Sequence, residues 1–223
     1  MLFFIAKYAL VIFVAVAVSS FMTSVAFSPS VSRSWNLNGL SFVHACAQVL
    51  LNLPLMIAYP VPSMQSWTAI ATFDMPDFYH GLLVVSHLVF ITYVLLEIYV
   101  FHWLDSRLKV DEFVHHVVNL VAVFLSLATY PSYVASVGLF AELSTVFLHL
   151  RKFVEGDARR LAGKCFVVSF YVTRIVLNGY IAALCALNHF FSVTCLFWML
   201  NLAMNARWGV HIFRKISKEL KDH

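Results

Sequence analysis

The sequence predicts an all-α, polytopic membrane protein with seven transmembrane helices, and three observations carry that prediction. Hydrophobic residues make up 61% of the chain and charged residues 12%, with a mean hydropathy of +0.84; a soluble domain of 223 residues has no way to hide so much apolar surface from water. The apolar residues fall into runs of roughly 20, the length that crosses a bilayer core as a helix. Lys and Arg collect in alternate connections, as in the cytosolic loops of membrane proteins.

The first run, residues 2–27, is interrupted by Lys7 and small hydroxyl residues. It reads as a retained helix, with a cleaved signal as the alternative. Residues 28–38 form a turn-rich connection with Pro29, Asn36 and then Gly39 as breakers. The second run, 39–59, contains His44 and Asn52 and closes at Pro60 and Pro62. An acidic connection with Asp74 and Asp77 precedes the third run, 80–104. The fourth is 113–129, the fifth 132–150, the sixth 165–187 and the seventh 190–208, after which a basic amphipathic tail completes the chain.

Seven crossings place Arg33, Arg107, Lys109, the cluster from Arg151 to Lys164 and the tail from Arg214 to Lys221 on one side, leaving only Lys7 for the other. The N-terminus is therefore expected outside or lumenal and the C-terminus cytosolic. The formal net charge of +4 adds little to that asymmetry. Cys46, Cys165, Cys185 and Cys195 all lie within apolar runs without CxxC spacing, so free thiols are expected rather than disulfides or a zinc site.

Against this background, polar groups inside the runs are costly and need a reason. At about 1.5 Å of rise per residue, Glu97, His115, His116, Glu142, His149, Asn201 and Asn205 all fall in the cytosolic half, with Arg174 at mid-depth. Glu142, Thr145 and His149 form one helical stripe; Arg174 with Asn178, Asn201 with Asn205, and His116 with Asn119 share faces in the same way. A ring of helices around a polar pocket open to the cytosol is the simplest arrangement. Structural duties compete with this picture. His44 and His87 read as helix-to-helix hydrogen bonds, Asn201 and Asn205 as packing glue, and Arg174 as half of an ion pair with Glu97 or Glu142. Adjacent His115 and His116 point about 100° apart, so one faces a pocket while the other leans toward a neighbouring helix, and a functional role is favoured for the pair.

The segments ITYVLLEIY (residues 91–99), DEFVHHVVNL (111–120), AELSTVFLHLRKF (141–153) and FYVTRIVLN (170–178) together resemble the TLC (TRAM, LAG1, CLN8) domain family. The resemblance spans residues 39–214 and implies a six-helix TLC barrel around a lipid-sized cavity, with residues 1–27 as an additional N-terminal helix and residues 215–223 as a cytosolic basic tail. Thr92 and Glu97 stand where the family has Gly and Asp, and Ala141-Glu142-Leu143-Ser144 replaces the acidic segment of ceramide synthases. The chain looks closer to the TLC-domain-containing and CLN8 branch than to ceramide synthases. The expected function is acyl-CoA-dependent acyl transfer to a lipid, or control of phospholipid and sphingolipid composition. His115 or His116 would act as base or nucleophile and Glu142 or Glu97 would orient it. Arg174, His149, Asn178, Asn201, Asn205 and Thr145 would line the substrate site. Acyl-CoA is the expected co-substrate, with no bound cofactor; the expected partners are membrane lipids, a homodimer is allowed, and nucleic acid is not expected. The resemblance implies the endoplasmic reticulum membrane, with the plasma membrane as the alternative.

A non-enzymatic lipid-binding, sensing or trafficking factor is the competing class, distinguished by a copurifying lipid without turnover. A membrane metal enzyme is disfavoured because Glu112, His115 and His116 supply only part of a histidine box and no H-x-x-x-H occurs.

Overall fold

The structure, a computed structural model, describes residues 21, 24, 33–59, 76–99, 110–128, 132–189 and 193–219. The expected first helix thus lies outside the described residues, apart from two isolated positions. Among the described residues all regular structure is helical. Three helical stretches, Asn38–Ala58, Asp77–Glu97 and Gly156–Leu184, are long and apolar enough to cross a membrane, and Glu112–Leu125 is a shorter apolar helix. The chain is an integral membrane protein of helical type.

Helix α1 (Arg33–Ala58) begins inside the segment expected to be a connection. Asn36 and Gly39 do not break it, because one Gly in a helix costs only about 1 kcal/mol, and Pro54 is also accommodated within it. Helix α2 (Asp77–Glu97) starts behind Pro76 with Asp77 in its first turn, where a carboxylate opposes the positive end of the helix. Helix α3 (Val110–Ala128) carries the histidine pair.

The expected fifth run is a helix in three pieces. α4 (Ser132–Leu139) tightens into a 3-10 turn, Phe140–Glu142, and continues as α5 (Leu143–Phe153). The Ser144 hydroxyl donates to the Ala141 carbonyl at 3.0 Å, a local bond of the kind that competes with regular α geometry. Val154 and Glu155 are extended and Gly156 is left-handed, with φ +57°. A side chain at position 156 would be strained there, so this glycine makes the corner into the next helix.

That helix starts earlier than the apolar run. α6 (Gly156–Ser169) leads into a π-helical segment, Phe170–Leu177, and then α7 (Asn178–His189). α8 (Val193–Glu219) absorbs the basic tail as a continuation of the seventh run.

α1 packs on α2, α2 on α3, α3 on α8, α8 on the π segment and α7, and α5 on both α6 and α1, while α4 touches α1, α2 and α3. Two apolar clusters fill the interior, one around Leu40, Val89, Phe90 and Val94 and one around Leu55, Val137, Ile181 and Trp198. Large apolar side chains also face outward: Leu50, Ile57 and Leu187 are 71%, 73% and 72% exposed. In a soluble protein such a surface marks a sticky patch; in a bilayer it is the face that meets lipid. The buried polar residues are correspondingly concentrated inside. Gln48, Asn52 and Ser86 have no solvent exposure and bond one another across α1 and α2: Ser86 Oγ donates to Gln48 Oε1 at 2.8 Å, and Asn52 Nδ2 to Ser86 Oγ at 2.9 Å. His87 Nδ1 lies 2.7 Å from the Leu83 carbonyl.

Candidate functional site

Two departures from α geometry face each other, and each carries one half of an ion pair. Arg174 sits in the π segment and Glu142 in the 3-10 turn. The Arg174 Nη2 donates to Glu142 Oε1 at 3.0 Å and to Thr145 Oγ1 at 2.9 Å, while its Nε donates to Ser144 Oγ at 2.8 Å. One guanidinium thus reads three polar side chains of one helix turn, a task its rigid fork performs and a lysine would not. π turns inside α-helices concentrate at functional sites. Here the wider turn is held by Thr173 Oγ1 donating to the Ser169 carbonyl at 2.8 Å and by Tyr171 donating to the Gly209 carbonyl at 2.8 Å.

The histidine pair divides its faces. His116 leans toward α2, with its Nε2 3.0 Å from Glu97 Oε2, a close polar contact without the alignment of a hydrogen bond. His115 turns toward α8, where its ring meets that of Trp208 edge-on at 4.7 Å. Asn119 belongs with His115 rather than with His116 as the spacing suggests. Its Nδ2 donates to the His115 carbonyl at 2.9 Å and lies 3.0 and 3.1 Å from the two ring nitrogens. The four-residue step wins over the three-residue step because it also reaches a backbone carbonyl. Beyond Asn119 the amides continue: Asn201 Nδ2 donates to Asn119 Oδ1 at 3.2 Å and Asn205 Nδ2 to Asn201 Oδ1 at 2.8 Å.

These groups border one cavity of about 70 Å³. His115, Asn119, Glu142, Arg174, Asn178, Asn201 and Asn205 supply its polar wall, and Phe90, Leu139, Phe197 and Trp198 much of the apolar remainder. A space of this size has room for several water molecules or a small polar group against its polar wall. Gly138 also borders it, and a Cβ there would stand 2.5 Å from the Trp198 ring. A wider groove of about 430 Å³ runs between α3 and α8, lined by Val110, Val114, Met204, Arg207 and Trp208.

Of the residues expected at the site, His115, Glu142, Arg174, Asn178, Asn201 and Asn205 meet at this cavity. Thr145 supports it through Arg174, and Glu97 with His116 lies beside it. His149 is buried one turn beyond Thr145, with Nδ1 unpartnered. Ser144 emerges as an Arg174 partner that the sequence displays within its ELST segment. Tyr93 and His44 are further additions: their rings stack at 3.8 Å and 7°, the Tyr93 hydroxyl lies 3.3 Å from Ser41 Oγ, and neither ring nitrogen of buried His44 has a partner. Only the i, i+4 spacing of Tyr93 and Glu97 on α2 hints at Tyr93. Of the basic residues expected on the cytosolic side, Arg107 and Lys109 fall outside the described residues. Lys152 donates to Asn38 Oδ1 at 2.6 Å, and partial burial, reinforced by neighbouring Arg151, lowers its ammonium below the ordinary lysine value. Among the described residues no three His, Cys, Asp or Glu side chains converge as metal ligands, and Cys46, Cys165 and Cys195 form no disulfide.

Comparison with known proteins gives one match: the family model described as the TLC domain aligns with residues 34–214. No curated protein matches the chain, and no solved structure does.

Proposed function

The chain belongs to the TLC domain family of membrane, generally lipid-related, proteins, and on that premise we propose that it transfers an acyl group from acyl-CoA to a lipid acceptor, thereby adjusting membrane lipid composition. The single observation carrying this reading is the convergence of His115, the Glu142–Arg174 pair and four asparagines on one small, otherwise apolar cavity. The circuit of helix contacts is what a six-helix barrel requires, and the Lys and Arg asymmetry supports a cavity opening to the cytosol, where acyl-CoA is made available. The branch containing the TLC-domain-containing and CLN8 proteins, and the endoplasmic reticulum membrane, are the placements that fit best.

In this mechanism His115 removes the proton from the acceptor's nucleophilic atom as that atom attacks the thioester carbonyl carbon. The carbon–sulfur bond breaks, and the departing CoA thiolate takes the proton from the imidazolium, so the enzyme returns to its starting state. Asn119 positions the His115 ring. The Glu142–Arg174 pair is internally neutral, which lets a polar wall sit inside hydrocarbon without an uncompensated charge. His116 and Glu97, one residue and one helix away, supply a neighbouring polar pair. The small cavity takes the reacting ends, and the α3–α8 groove beside Trp208 offers an apolar path for a chain, with Arg207 at its edge as a cationic contact for CoA phosphates.

Incubating the purified full chain in lipid nanodiscs with labelled acyl-CoA and a panel of lipid acceptors tests the reading. Label appearing in lipid with release of free CoA supports it. Copurification of a lipid with no CoA release would instead assign the cavity to a non-enzymatic binding or sensing factor.

A further inference from the structure

The direction of the amide chain gives the cavity a chemical preference. The His115 backbone carbonyl can only accept, so the Asn119 group that approaches it must be the NH2, and its Oδ1 then faces Asn201. Asn201 must answer with its NH2, which leaves its Oδ1 to accept from Asn205. Polarity set by one backbone atom therefore passes through three side chains and ends on an acceptor: Asn205 Oδ1, buried and without a partner. Asn178, 1% exposed like Asn205, borders the same cavity with its own Oδ1 unpartnered. A buried acceptor left unmade costs about 1–3 kcal/mol, so two of them on residues that border one cavity call for a donor.

We propose that this end of the cavity is a subsite for an alcohol, the hydroxyl of the lipid that receives the acyl group, with its O–H donated to Asn205 Oδ1 and Asn178 alongside. The identity of the acceptor rests on the acyl-transfer reading above; the binding preference does not. A protonated amine is disfavoured, because among the cavity-lining residues the only carboxylate, Glu142, is already neutralised by Arg174, and a buried ammonium without a counter-charge is costly. A phosphate is disfavoured by the same amide oxygens, because a deprotonated phosphate also only accepts. A hydroxymethyl group suits both the roughly 70 Å³ volume and the acceptors.

The test uses the purified full chain and three matched single-chain probes: an octadecyl glycerol ether, the same ether with both hydroxyls methylated, and the same ether with its terminal hydroxyl replaced by an amine. Calorimetric titration is expected to find the diol bound about tenfold more tightly than either analogue, the ratio worth one hydrogen bond. Asn205→Leu is expected to bring the diol and its methylated form together. Equal affinities in the unmutated protein, or tighter binding of the amine, would overturn the subsite whatever the variant does. Assays with acyl-CoA separate the two claims. Preferential binding of the diol without turnover leaves the subsite standing and removes acyl transfer; faster acylation of the amine keeps transfer and removes the subsite.

Discussion

Arg174 reaches Glu142 across 3.0 Å from a π segment to a 3-10 turn, so this interhelical ion pair joins two places where helices leave their regular geometry. Both side chains are largely buried. Taking either charge out of water is expensive, and the loss of one partner strands the other.

Arg174→Met is therefore expected to destabilise the protein by about 3–5 kcal/mol, with Glu142→Gln milder because the amide still accepts from the guanidinium. The double variant Arg174→Met with Glu142→Met is expected to recover much of the loss. Thermal melting of these proteins and of Glu142→Met in one detergent measures this, and additive losses of the two Met variants would mean the two groups do not act as a pair.

Gly138 has no space for a side chain, because a Cβ would press on the Trp198 ring at 2.5 Å. Gly138→Ala should cost about 1–3 kcal/mol through overpacking and drive the indole toward the cavity that both residues border. Adding Trp198→Phe, which removes the outer ring, is expected to restore the melting temperature. Failure of that rescue would place the strain elsewhere.

How much of this the chain displayed beforehand depends on the kind of signal. A guanidinium at mid-membrane demands a carboxylate, so an Arg174 pair was legible, but depth along separate helices says nothing of their rotation and leaves Glu97 and Glu142 as equal candidates. Divergence of His115 and His116 follows from 100° per residue, whereas the choice of which one faces the cavity is made by helix packing. Spacing puts Asn119 on the face of His116, whereas the structure bonds it to His115, four residues back, where it also reaches the backbone carbonyl. The 3-10 and π turns carry no hydrophobic signature; hydroxyl back-bonds at Ser144 and Thr173 accompany them. His44 looks like any lone membrane histidine until Tyr93 is seen stacked on it. Apolar periodicity located the long helices but misjudged their ends, because helical structure continues past residue 208 into the basic tail and begins at Arg33 and Gly156 within polar sequence.

The Gln48, Asn52 and Ser86 cluster lies between α1 and α2, away from the cavity-lining residues, and offers a control. Ser86→Ala leaves buried amide groups short of a partner and should cost about 1–3 kcal/mol without changing lipid selectivity. Melting and lipid-binding measurements on the same preparation check both halves, and a changed lipid preference would tie this cluster to the site.

The most direct measurement is CoA release and lipid acylation by purified His115→Ala, beside His116→Ala and the unmutated chain, with melting curves establishing that each is folded. Loss of a positioned general base predicts a fall of at least about 100-fold for His115→Ala and a smaller fall for His116→Ala, whose imidazole faces Glu97. Undiminished turnover in His115→Ala would contradict the assignment of chemistry to this cavity.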